Sequence, residues 1–169
     1  MSWLGLHIRG RSLLSVLILV TLSGTVFLIL SRLKKKITMD KGLDIYSLIK
    51  AYGFNDNLAM FVTSQAAHET AGFTSQIYIS NHNAFGMKFA SQALSIGEKN
   101  GYANYKTIQD SVADFVRWYI KARNNILSLP LYINSLKSYV SFLKNRNYFE
   151  AKESEYLSGC EYFYNQLFA

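Results

Sequence analysis

The chain has 169 residues, half of them hydrophobic, 15% aromatic and 17% charged, with a formal net charge of +7. That length suits one globular domain, and that composition excludes a disordered chain. A single cysteine, Cys160, excludes an intrachain disulfide and a cysteine-built metal cluster, and a single proline, Pro130, argues against a turn-rich β-sandwich.

Residues 1–11 form an N-terminal flank carrying Arg9 and Arg11. No charged residue occurs from Ser12 to Ser31. A helix of that length spans roughly 30 Å, the thickness of a hydrocarbon core, so a transmembrane helix in contact with a lipid bilayer is expected over 12–31. A buried core helix is the alternative. A basic linker follows over 32–39, with Arg32, Lys34, Lys35 and Lys36. Apart from these six flanking cations, twelve Lys and Arg stand against eleven Asp and Glu from Ile37 onward. The remainder is nearly neutral, so no nucleic-acid partner is expected. The flanking charges read as topogenic or headgroup-binding.

From 40 to 169 the pattern is mainly helical. Leu43, Ile45, Tyr46, Leu48 and Ile49 form an apolar stripe that Gly53 terminates. Asn55, Asp56 and Asn57 offer caps for a second helix, which carries Leu58, Phe61, Val62, Gln65, Ala66 and Glu69 and closes at Gly72. Thr74 to Ala93 lacks a period and reads as loop with short turns. Glu98-Lys99-Asn100-Gly101 is a turn signal, flanked by a hairpin of Leu94–Ile96 and Tyr102–Tyr105. Asp110 or Ser111 caps a helix with Val112, Phe115, Val116, Tyr119 and Ile120 on one face. Weaker helical patterns run from Leu131 to Leu143 and from Tyr148 to Phe168.

His7, His68 and His82 are not at a helical pair spacing, and no His-Glu-x-x-His pattern exists, so neither metal nor cofactor is expected. Gly-rich phosphate loops and a serine nucleophile elbow are also missing from the sequence. Glu69 remains. It shares the striped face of the second helix, where burial raises a carboxyl pKa and suits it to act as a general acid. A glycosidic oxygen leaves poorly unless protonated, so such a glutamate fits glycoside cleavage. A carboxylate that swings into water or pairs with Lys88 is the alternative.

Three blocks surround it in order: Gln65-Ala66-Ala67-His68-Glu69-Thr70-Ala71-Gly72-Phe73, then Asn83-Ala84-Phe85-Gly86-Met87-Lys88, then Tyr102-Ala103-Asn104-Tyr105-Lys106-Thr107 leading to Ser111-Val112-Ala113-Asp114-Phe115. Over residues 60 to 120 this resembles the glucosaminidase family of peptidoglycan hydrolases. The resemblance implies a lysozyme-like helical domain over 40–169 with a small β-hairpin lobe, and bacterial peptidoglycan glycan strands as partner. It implies catalytic Glu69, with Tyr105 near the acid. Asn83, Phe85 and Gly86 take the place of the loop that shapes the sugar cleft, and Asp114 matches a structural position. Glu98 is the candidate for the family's second acidic residue, with an exposed turn residue as the alternative. Tyr78, Phe85 and Tyr102 are candidate platforms for sugar rings. His68 and Thr107 depart from the family's usual residues.

The reading is therefore a membrane-anchored peptidoglycan hydrolase of the N-acetylglucosaminidase type, cleaving β-1,4 bonds in lysis, entry or local wall remodelling. A lytic transglycosylase and a chitinase-like endolysin are alternatives within the fold. An inactive glycan-binding or scaffold protein, and a membrane protein binding a cytoplasmic partner, are alternatives of other classes. A single-pass location in a bacterial inner membrane or virion membrane is expected, with the catalytic domain on the wall side. The heavier positive charge after residue 31 opposes that orientation.

Overall fold

The computed structural model describes the backbone of residues 13–124 and 133–169, and the side chains of residues 26–123 and 133–169. The chain separates into two compact units, Met1–Ile37 and Thr38–Ala169.

The first element, α1, is an unbroken helix over Leu13–Ala51. This corrects the expectation of a transmembrane helix at 12–31. Among the described residues no helix is long and apolar enough to cross a membrane. The helical backbone continues through Arg32 and Lys34 to Lys36, so charge enters the helix itself, and residues 32–39 are helical. The bilayer contact and single-pass location read from that segment lose their support. The side chains of 12–25 and the flank at 1–11 lie outside the described residues. In the first unit, Val26 to Leu30 and Leu33 are each about half exposed or more.

The second unit is mainly helical with one small hairpin, as expected. Its last turns of α1 bury Ile45 and Ile49 completely, and the helix stops where Gly53 takes a φ of +83°. The next helix, α2 (Asp56–Glu69), is capped by Asn55, whose side chain accepts from Leu58 N–H at 2.9 Å. It is the central helix of this unit: every residue from Leu58 to Ala67 except Met60 is buried. It packs against α6 (Glu153–Phe168) and α5 (Leu136–Asn145). Between them, a short helix α3 (Gln76–Asn81) forms where the sequence predicted only loop. Ser75 caps it, and six residues are too few to display a period.

The hairpin pairs β1 (Ser95–Lys99) with β2 (Tyr102–Tyr105) in antiparallel register, Lys99 opposite Tyr102 and Glu98 opposite Ala103. Its two loop residues, Asn100 and Gly101, both have positive φ, as the Asn-Gly signal requires. The helix α4 (Ile108–Asn124) starts earlier than Asp110 because Thr107 and Asp110 cap each other: Asp110 N–H donates to Thr107 Oγ1, and Thr107 N–H to Asp110 Oδ2. Ser135 and Ser138 form a capping box for α5. The predicted start of that helix at Leu131 lies outside the described residues.

Two buried polar side chains fasten this framework. Asn83 is fully buried; its amide donates to Met87 O (2.8 Å) and Ala103 O (3.0 Å), and its oxygen accepts from Phe85 N–H and Met87 N–H. It therefore sets the 83–87 loop and ties it to β2. Asp114 accepts from Leu94 N–H at 2.9 Å and pairs with Arg117 at 3.0 Å, joining the hairpin's entry strand to α4. Replacing Asn83 by Ala removes four buried hydrogen bonds and takes their side-chain acceptor from Phe85 N–H and Met87 N–H. Asn83→Ala is expected to destabilise the fold by about 3 kcal/mol, read as a lower midpoint in urea denaturation.

Candidate active site

Glu69 is the last residue of α2, and the chain turns away from it abruptly. Thr70 caps the helix, its hydroxyl donating to Ala66 O at 2.6 Å, and Gly72 N–H closes onto Ala67 O at 2.7 Å. Ala71, Gly72 and Phe73 all have positive φ. This compact turn leaves Glu69 at the mouth of a cleft with a volume of about 610 Å³. Gly86, Met87, Lys88, Ala90, Gln92 and Tyr102 line it from the hairpin lobe. Trp118 of α4 and residues 146–150, from Arg146 to Glu150, line it from the helical lobe.

Gly86 explains its own identity. It has a φ of +60°, and a Cβ built on it would lie 2.9 Å from Glu69 Oε2. The bare backbone of the loop thus lies directly against the carboxyl group. On its other oxygen, Glu69 Oε1 accepts the hydroxyl of Tyr156 at 2.5 Å. Burial raises the Glu69 pKa above its ordinary value, and the Tyr156 hydrogen bond opposes this only in part. A carboxyl at a helix C-terminus also meets the negative end of the helix dipole.

Tyr156 is itself buried, and its ring is held from two sides. Phe149 stacks on it with centroids 3.7 Å apart, and His68 meets it edge-on at 4.8 Å. Burial lowers the His68 pKa, which favours the neutral ring. That ring occupies the space over Gly159, where a Cβ would lie 2.2 Å from His68 Cε1. So the unusual His68 of the sequence packs against α6 beside the acid.

The 146–150 segment is built by a left-handed turn. Asn147 has a φ of +53°, Asn147 N–H donates to Lys144 O, and Tyr148 N–H reaches back to Leu143 O at 3.1 Å. Tyr148 then donates to Phe85 O at 2.6 Å, linking the two lobes. Lys144 ties down the segment's end through Glu150 O (3.0 Å) and Ala151 O (2.9 Å).

Of the residues singled out in the sequence, Glu69, Gly86 and Tyr102 line the cleft together. Asn83 and Phe85 lie beneath it: Phe85 is fully buried and stacks on Phe115 at 3.9 Å. Tyr105 is also in the core, its hydroxyl without a hydrogen-bond partner and its pKa raised by burial. Tyr78 lines a different hollow, with Asp44 and Ile108, and Lys41 sits 4.7 Å from its ring centre. Glu98 is exposed at the hairpin end, accepting Gly101 N–H at 3.1 Å, and is not among the cleft-lining residues.

Sequence reasoning missed Tyr148, Phe149 and Tyr156. Their aromatic spacing suggested helix from Tyr148 onward, whereas α6 begins only at Glu153. Asn147 just after a helical run, followed by an aromatic-dense stretch, was the available signal. Among the described residues no group of His, Cys, Asp and Glu could hold a metal.

A family model, Glucosaminidase, described as mannosyl-glycoprotein endo-beta-N-acetylglucosaminidase, matches residues 45–167. No curated protein and no solved structure matches the chain.

Gly86→Ala forces a side chain into the left-handed region and against the carboxyl. It is expected to cost about 1–2 kcal/mol of stability in thermal unfolding and to abolish catalysis in the same preparation.

Proposed function

The chain belongs to the glucosaminidase family and is a glycoside hydrolase acting on peptidoglycan; from that premise we propose that it cuts the β-1,4 bond following N-acetylglucosamine, with Glu69 as the acid. The observation that carries this reading is the desolvated carboxyl of Glu69 in the cleft, against the bare backbone of Gly86 and bonded to Tyr156.

In this mechanism the glycan strand lies in the cleft between the hairpin lobe and residues 146–150. The glycosidic oxygen takes the proton of Glu69 as its bond to the anomeric carbon breaks. The resulting oxocarbenium-like centre is then captured by water, which gives up a proton that restores the acid form of Glu69. Tyr156 orients the carboxyl and stabilises the carboxylate left behind. Tyr102, Trp118 and Phe149 offer aromatic surface to the sugar rings. Glu98 takes no part in this scheme, because it lies outside the cleft lining. Glu150 is the other carboxylate that borders the cleft.

The test is digestion of purified peptidoglycan with the full chain, followed by mass analysis of the new reducing ends. N-acetylglucosamine ends are expected. Muramic acid or anhydro-muramic acid ends would assign the cut to a different bond or to a lytic transglycosylase.

The pH dependence follows from the Glu69 shift. Its raised pKa keeps the acid protonated at a pH where an exposed glutamate has ionised, and activity falls as the pH rises through that pKa. Tyr156→Phe removes a hydrogen bond that favours the ionised form, so the alkaline limb of the rate profile is expected to move to higher pH. Glu69→Gln is expected to lower kcat by about 10²–10⁴-fold with the fold intact, measured as reducing-end release.

A further inference from the structure

The cleft contains two cations that the mechanism above does not use. Lys88 comes from the loop that carries Gly86, and Arg146 from the turn after α5. Both line the same space as Glu69. The ion pairs among the described residues are Lys50–Asp56, Asp114–Arg117 and Lys152–Glu155, so neither cleft cation is neutralised by a carboxylate within 4.0 Å. Arg146 is the more telling of the two. Its side chain is partly buried, and its Nε is fully buried without an acceptor. A buried guanidinium N–H left without a partner is costly, and a planar fork of donors suits a carboxylate.

The rest of the cleft does not fill that need. Glu69 lines the same cleft but is outside ion-pair distance of both cations. Glu150 is exposed at the rim and is outside ion-pair distance of both cations. The Arg146 N–H donates to Leu143 O at 3.1 Å, which fixes the turn that brings this residue to the cleft.

We infer that Arg146, assisted by Lys88, binds a carboxylate carried by the glycan, so that the cleft selects an acidic glycan over a neutral N-acetylglucosamine polymer. This rests on the glycosidase reading and specifies its substrate. In peptidoglycan such a carboxylate is the one on the lactyl ether of muramic acid. The cations act as binding and specificity groups, apart from the proton transfer.

The experiment is calorimetric titration of the full-length Glu69→Gln protein, which holds the ligand uncut. The two ligands are a disaccharide of N-acetylglucosamine and N-acetylmuramic acid with its lactyl carboxylate free, and the same disaccharide with that group converted to a carboxamide. The acid is expected to bind about ten- to a hundredfold more tightly, as for a charge-assisted hydrogen bond. Adding Arg146→Gln is expected to bring the ratio close to one. Arg146→Lys restores part of it, and Lys88→Gln reduces it. Equal binding of the two forms, a ratio unchanged by Arg146→Gln, or no binding of either form overturns the proposal. A circular dichroism melt of each variant confirms that it is folded. Failure of the wild-type protein to release reducing ends from peptidoglycan would instead strike the glycosidase reading, and the two failures are read from different assays.

Discussion

Holding a carboxyl group at the edge of a packed core is unfavourable, and the architecture around Glu69 is arranged to sustain it. The group sits at the end of a helix that is buried along most of its length, so it has little freedom to swing into water. One oxygen faces Gly86, where any side chain would collide with it. The other takes a hydrogen bond from Tyr156, whose ring is clamped between Phe149 and His68. The penalty falls on the ionised form, which keeps the proton on the group to higher pH than on an ordinary glutamate.

Everything else positions that contact. Asn83 fastens the loop that presents Gly86. Tyr148 bridges from the helical lobe to Phe85 O in the same loop. Lys144 pins the end of the segment that carries Phe149 and Glu150 through Glu150 O and Ala151 O. The cleft is therefore formed by backbone fixed from several directions, which suits a mechanism that depends on placing a sugar oxygen close to one proton.

The legible parts of the sequence were those with a local physical signature. The second helix, the Asn-Gly hairpin turn and the Asn83–Lys88 loop could be read from caps, turn chemistry and motif. Glu69 emerged because its helical register put a carboxyl on an apolar face and the blocks around it resembled the family's catalytic stretch. What stayed hidden depends on long-range packing. Tyr156 reaches Glu69 across 87 positions, and Tyr148 reaches Phe85 across 63, so no local pattern signals either contact. Periodicity also misled, because Tyr148 and Phe149 read as the start of a helix while in fact lining the cleft. Similarly, the uncharged run before Arg32 read as a membrane span on its own, whereas the helix containing it continues through the basic residues to Ala51. Glu98 attracted attention only as an acid near the right loop, and the hairpin register directs it to the turn instead.

The most direct measurement is a carbon-13 NMR titration of the glutamate carboxyls in the full chain, with the Glu69 signal assigned through Glu69→Gln. The account predicts that Glu69 titrates above the ordinary value of 4.5. A Glu69 that titrates at or below 4.5 would contradict it, since a carboxyl already ionised at that pH is not held as the acid of the cleft.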